Sequence, residues 1–115
     1  MKYLLICIFL FGLYTPAIAS DHHLESYISS FDYEVRKEMK MNSEGLNKLL
    51  MEGKTQLIDI RFQEEYAALK VGYSINIPIN ELPKRLNEID KNKIVVTACP
   101  HKDRAIIAMV YLRSK

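Results

Sequence analysis

The side chains most able to do chemistry lie at positions 99–104, which read Cys-Pro-His-Lys-Asp-Arg. A cysteine is a nucleophile only as its thiolate, which nearby cations and the free N–H groups at the start of a helix favour. Lys102 and Arg104 supply positive charge, and His101 adds to it when protonated. An apolar helix is predicted from about Arg104 to Leu112, so its first N–H groups would face the loop. We therefore predict that Cys99 is a nucleophile in an anion-binding loop.

The number of cysteines also indicates a reactive thiol. The chain has two, Cys7 and Cys99, and Cys7 lies in a predicted targeting segment that is removed on export. Exported proteins usually pair their cysteines in disulfides, so a single remaining thiol indicates a reactive or intermolecular sulfur. An inert buried cysteine needs apolar surroundings, which the polar residues after Cys99 do not provide.

Predicted strands and helices alternate from residue 42 onward, and this order positions the loop. The predicted strands are Gln56–Ile60, Ser74–Ile79 and Lys93–Ala98, and the predicted helices lie at about 43–52, 62–69, 82–89 and 104–112. Such alternation is typical of a parallel α/β sheet with helices on both faces. Ligands bind such sheets beyond the carboxyl ends of the strands. Cys99 directly follows the third strand, where a site is expected.

Five segments resemble, in order, the motifs of the rhodanese-like sulfurtransferases. They are residues 57–61 (Leu-Ile-Asp-Ile-Arg), 65–66 (Glu-Tyr), 74–78 (Ser-Ile-Asn-Ile-Pro), 81–86 (Glu-Leu-Pro-Lys-Arg-Leu) and 94–104, the strand with its Cys-x-x-x-x-Arg loop. The resemblance implies a three-layer α/β domain over residues 42–115 with a central parallel sheet. It also implies that Cys99 is the catalytic residue and carries the sulfur as a persulfide.

The same resemblance assigns roles to the residues around Cys99. Asp59 and Arg61 correspond to a structural pair near the site. The residues implied in donor binding are Pro100, His101, Lys102, Asp103 and Arg104, the first four mainly through their backbone amides. No metal and no organic cofactor is implied.

The implied reaction moves sulfane sulfur from thiosulfate, a polysulfide or a persulfide to a thiol or cyanide acceptor. Two alternatives stay open. One is a module that carries or binds sulfur without turnover. The other is a phosphatase or arsenate reductase with a Cys-loop-Arg site. Only four residues separate Cys99 from Arg104, and Ala98 precedes the cysteine, whereas the related phosphatases have a longer loop and often a His there.

Departures from the family pattern bear on the fold. Leu69-Lys70 stands where the family has Gly-His, and Gly72 lies one position early, with Tyr73 in the place of the later glycine. The chain ends at Lys115, before the last strand and closing helix that family members normally have. We therefore expect the strand before the loop to expose an edge, with marginal stability or self-association through it.

Residues 1–19 predict a signal peptide, because Lys2 precedes an apolar run from Tyr3 to Leu13 and a small-x-small site ends at Ala19. A retained membrane anchor is the alternative, but the run is shorter than the roughly 20 residues that span a bilayer. We expect export to the periplasm with no stable membrane insertion after cleavage.

Residues 20–41 predict an amphipathic helical extension, with apolar positions such as Leu24, Ile28 and Phe31 spaced by three and four. Acidic and basic residues are mixed throughout a chain of formal net charge +2. The sequence therefore has no basic face suited to nucleic acid. The expected partners are the small anionic donor and the acceptor.

Overall fold

The computed structural model describes residues 22–115. The predicted signal peptide and the first residues of the extension lie outside this range. Within residues 22–115, no helix is both long and apolar enough to cross a membrane.

Helices surround three strands in the described part of the chain. The helices are α1 (His22–Ser29), α2 (Tyr33–Lys37), α3 (Ser43–Met51), α4 (Gln63–Ala68) and α5 (Asp103–Arg113). The strands are β1 (Thr55–Asp59), β2 (Ser74–Asn76) and β3 (Ile94–Ala98). Two single 3₁₀ turns, Leu82–Lys84 and Leu86–Glu88, lie between β2 and β3.

The three strands form one parallel sheet, as the alternation of elements predicts, and their order is β2-β1-β3. The central strand β1 is buried along most of its length, as expected for a parallel strand covered on both faces. The apolar core consists of Ile58, Ile60, Ile77, Leu82 and Ala108. The core therefore joins β1 to the segment after β2 and to α5, and Val95 of β3 and Cys99 pack against it.

Local signals set the ends of the elements. Asn42 caps α3, because its side-chain Oδ1 accepts the Gly45 N–H at 2.8 Å. Gly53 follows the helix with φ 67°, a left-handed conformation that glycine adopts without steric cost. The predicted start and stop of this helix are both confirmed.

The second predicted strand is shorter than expected. β2 ends at Asn76, although the N–H groups of Ile77 and Ile79 still donate to the carbonyls of Asp59 and Ile60, at 3.0 and 3.1 Å. Pro78 lies between them and has no N–H to give. The chain therefore leaves the sheet gradually and carries Ile77 into the core.

Two predicted helices are wrong in detail. The extension at residues 20–41 is not one helix in its described part, because Asp32 interrupts it and caps α2 by accepting the Val35 N–H at 2.9 Å. The α-helix predicted at 82–89 is replaced by the two 3₁₀ turns, which Arg85 separates with φ −119° and ψ 20°. The turns still direct Leu82 and Leu86 to the core, so the apolar spacing was interpreted with the wrong helix type.

β3 lies at one edge of the described sheet and pairs only with β1. Ile94, at its start, is 51% exposed. The predicted self-association through this edge stays a prediction.

Candidate active site

Cys99 lies at the carboxyl end of β3, four residues before the start of α5. It is a half-buried free thiol. Its Sγ accepts the backbone N–H of Ala105, in the first turn of α5, at 3.3 Å. Thr97 in β3 donates its hydroxyl to the Ala105 carbonyl at 2.8 Å, so strand and helix are bonded to each other on either side of the loop. The sulfur therefore meets a backbone N–H at the amino-terminal end of α5.

Lys102 gives the loop its shape. Its backbone lies in the left-handed region, with φ 70° and ψ −30°, directly before α5. This conformation turns the chain from the loop into the helix, and the Lys102 carbonyl accepts the Ile106 N–H at 2.8 Å. A residue with a Cβ rarely adopts it. The Lys102 side chain is exposed, and no carboxylate of the described residues lies within ion-pair distance.

Arg104 forms a two-point ion pair with Glu65 of α4. Its Nη1 donates to Oε2 at 2.7 Å and its Nη2 donates to Oε1 at 2.8 Å. Oε2 also accepts the Phe62 N–H at 3.0 Å. The guanidinium lies 5.8 Å from the centre of the Phe62 ring, within the range of a cation–π contact. Both terminal nitrogens of Arg104 are therefore engaged inside the protein.

These contacts shift the ionisation of the two partners. The Arg104 hydrogen bond, helped by the Phe62 N–H, lowers the pKa of Glu65 from its ordinary 4.5 to about 2. The same ion pair raises the pKa of Arg104. Glu65 therefore carries its negative charge, and the pair stays ionised, across the pH range in which a cysteine nucleophile works.

Asp59 and Arg61 form a second ion pair, which is buried. Asp59 is 1% and Arg61 8% exposed. Arg61 Nη2 donates to Asp59 Oδ2 at 2.6 Å and to the Leu69 carbonyl at 2.6 Å, and Nη1 donates to the Glu65 carbonyl at 3.4 Å. The bond to Asp59 raises the pKa of Arg61. The pair thus attaches the carboxyl half of α4 to the end of β1.

The structure brings most of the predicted site residues together at one end of the sheet. Pro100, His101, Lys102 and Asp103 are exposed in and beside the loop, and Arg104 lies behind it, half-buried. Asp59 lies beside Ala98, the residue before Cys99, in the ladder between β1 and β3, and Arg61 connects this end of β1 to α4. The sequence-based prediction missed Glu65, whose Glu-Tyr motif was noted without a role. The available signal was that Glu65 is an acidic residue in a recognised motif and is not needed for the core.

The comparisons with known proteins agree with this geometry. Residues 42–115 match the family model described as the rhodanese-like domain. The chain belongs to the rhodanese-like domain family.

A solved structure supports the fold assignment. The chain is similar to a rhodanese-related protein of Thermoplasma volcanium, with a TM-score of 0.57 and 26% identity over 64% of this chain and 71% of that one. The α/β domain of the present chain, with a parallel three-stranded sheet and helices around it, matches the rhodanese-like fold.

Among curated proteins, the chain is 31% identical over 90 residues to an HTH-type transcriptional regulator of Mycobacterium tuberculosis. The match covers 78% of this chain and 39% of the regulator. The chain therefore spans well under half of that relative. The rhodanese-like family includes sulfurtransferases.

Proposed function

We propose that this protein is a sulfurtransferase that carries sulfur as a persulfide on Cys99. The observation that carries the proposal is the position of the thiol, which follows a parallel strand and accepts the Ala105 N–H from the first turn of α5. That arrangement gives the sulfur a backbone N–H donor at a helix N-terminus and partial exposure, which supports a role as a nucleophile. The domain in which it lies belongs to a family that contains such enzymes.

The proposed reaction has two displacement steps. The Cys99 thiolate attacks the outer sulfur of thiosulfate, the bond between the two thiosulfate sulfurs breaks, and sulfite leaves with the bonding electron pair. A thiolate or cyanide acceptor then attacks the outer sulfur of the Cys99 persulfide, and Cys99 leaves as the thiolate. A persulfide donor reacts in the same way with a thiolate as the leaving group, and a polysulfide donor leaves as a polysulfide that is shorter by one sulfur atom. Atoms and electrons balance without an added oxidant or reductant.

The loop offers two kinds of stabilisation for the anionic donor and the leaving group. Backbone N–H groups of the loop and of the first turn of α5 are one. The exposed ammonium of Lys102 is the other, and protonated His101 adds to it. Thiosulfate and sulfite are dianions, so this positive surface favours their approach.

A second candidate is a module that holds sulfur without turnover. The observation in its favour is the similarity to a transcriptional regulator over 78% of this chain. In that case Cys99 would accept sulfur and release it slowly, as a sensor or carrier. Steady-state transfer from thiosulfate to cyanide separates the two candidates, because only the enzyme regenerates its thiolate many times.

The test of the proposal is intact mass before and after exposure to thiosulfate. The parent protein should gain the mass of one sulfur atom and lose it on addition of cyanide, with thiocyanate as the product. Cys99→Ser should gain nothing, because a hydroxyl cannot form a persulfide, and its fold should persist because the change is nearly isosteric. Cys7→Ser, which leaves Cys99 as the sole thiol, is the matched control and should behave as the parent. A sulfur adduct on the Cys99→Ser protein would refute the assignment.

A further inference from the structure

We propose that Glu65 is a positioning residue for Cys99, and that Arg104 serves this role through Glu65 rather than by binding the donor. The inference deepens the proposed function, and its kinetic part rests on that function. It starts from an imbalance of charge around the loop. Arg104 is paired with Glu65, whereas the Lys102 ammonium, in the same stretch of chain, has no such partner among the described residues.

The geometry of the ion pair leaves Arg104 little capacity for a donor. Each of its terminal nitrogens donates to a separate oxygen of Glu65, at 2.7 and 2.8 Å. A two-point arginine–carboxylate contact is among the strongest hydrogen-bonded pairs in proteins. A third bond, from the Phe62 N–H, fixes the carboxylate itself. A thiosulfate ion that used Arg104 would first have to displace Glu65.

The same pair determines where the first turn of α5 lies. Arg104 directly precedes Ala105, and the Ala105 N–H donates to Cys99 Sγ. Glu65 is in turn attached to the sheet, because Arg61 donates to the carbonyls of Glu65 and Leu69 and bonds to Asp59 at the end of β1. An unbroken series of contacts therefore runs from β1 through α4 to the amide that meets the sulfur.

Removal of either member should loosen the amide from Sγ to the same extent. Loss of the hydrogen bond from the Ala105 N–H should therefore slow the reaction of the Cys99 sulfur by about tenfold. If the two residues act as a unit, loss of both should reduce the reactivity of Cys99 no more than loss of one does. The charge that meets the anionic donor would then come from Lys102 and the backbone amides.

The experiment compares Glu65→Gln, Arg104→Gln and the double variant by two readouts on the full chain. The first is the alkylation rate of Cys99 by iodoacetamide, a neutral reagent, at fixed neutral pH, with Cys7→Ser as the background. The second is the split between kcat and KM for thiosulfate. We expect each single variant to alkylate about tenfold more slowly and to lose kcat in proportion, with KM nearly unchanged and the double variant no worse than the singles.

Two controls make the result specific. Glu88→Gln breaks an exposed two-point pair with Arg85 of similar geometry, at 2.6 and 2.8 Å, and should leave Cys99 alkylation unchanged. If a Gln variant does not fold, the reversed pair Glu65→Arg with Arg104→Glu replaces it. Recovery of folding and alkylation in that protein supports positioning, and failure to recover them overturns it.

Other outcomes separate this inference from the function on which it rests. A rise of about tenfold in the KM for thiosulfate in Arg104→Gln, absent from Glu65→Gln, would show that Arg104 touches the donor and would overturn the proposal. Parent-like alkylation in both single variants would also overturn it. Alkylation by iodoacetamide does not depend on sulfur transfer. If the parent transfers no sulfur but the variants are still alkylated more slowly, the result would support the positioning role and refute the sulfurtransferase function.

Discussion

Replacing Lys102 by glycine should make this protein more stable and less active. Lys102 has φ 70°, and its side chain is exposed without an ion-pair partner among the described residues. Glycine adopts the same backbone without a Cβ clash. The substitution therefore removes strain, removes no packing, and removes one cation from beside Cys99.

The magnitude follows from two opposing contributions. A residue with a Cβ is destabilised by about 1–2 kcal/mol in the left-handed region. Glycine avoids this, but the greater freedom of its unfolded chain lowers the free energy of unfolding by about 0.5–1 kcal/mol. The net gain is about 0.5–1 kcal/mol. For a domain of this size, 1 kcal/mol corresponds to roughly 4–8 °C in Tm, so the expected rise is about 2–8 °C.

Calorimetric unfolding with two matched variants tests this reasoning. Tyr73 has φ 62° and is 94% exposed, so Tyr73→Gly should raise Tm by a similar amount with no effect on sulfur transfer, because it lies at the opposite end of the sheet from Cys99. Lys91 is an exposed lysine without a positive φ, so Lys91→Gly should lower Tm. Lys102→Gly should also slow transfer from thiosulfate. A fall in Tm for Lys102→Gly, as for Lys91→Gly, would refute the strain at this position.

Two further predictions concern the ion pairs. The pKa of Glu65 is lowered to about 2, so its contribution to stability should be complete above about pH 4.5 and be lost as the pH falls toward 2. The urea midpoint of Glu65→Gln should accordingly vary less with pH than that of the parent across this interval. Urea midpoints that change with pH in parallel in the two proteins would contradict the lowered pKa. Asp59→Ala should lower the urea midpoint far more than loss of the exposed Glu88 does, because it leaves the buried Arg61 guanidinium without its counter-charge. An equal fall in urea midpoint in the two variants would show that burial of the pair does not increase its contribution to stability.

The sequence predicted the sheet and the place of Cys99 because both depend on local patterns. The apolar run that ends at Ala98 and the helix that starts near Arg104 leave little freedom for the position of the thiol. The alternation of strands and helices predicted that the sheet is parallel. By contrast, the 3₁₀ turns at 82–88 and the α-helix predicted there share the same apolar spacing, so the pattern could not distinguish them.

What the sequence did not show was set by contacts between distant residues and by backbone conformation. The resemblance assigned Arg104 to donor binding, and nothing local in the sequence reveals that Glu65 pairs with it. Left-handed conformations at Tyr73 and Lys102 were missed for a different reason. Glycine is the usual signal for such a conformation, and neither position has one.

The pairing of Glu65 with Arg104 spans 39 residues, and the bond from the Thr55 hydroxyl to the Ile94 carbonyl spans the same distance. Contacts of this separation close late in folding, since the chain between them must lose its freedom first. Although the Ala105 amide and the sulfur are only six residues apart, the ion pair between Glu65 and Arg104 should therefore form only with cooperative folding, and the full reactivity of the thiol should emerge together with it. Hydrogen exchange at Ala105 should accordingly be as slow as exchange in β1, which would make this single amide a reporter of global opening.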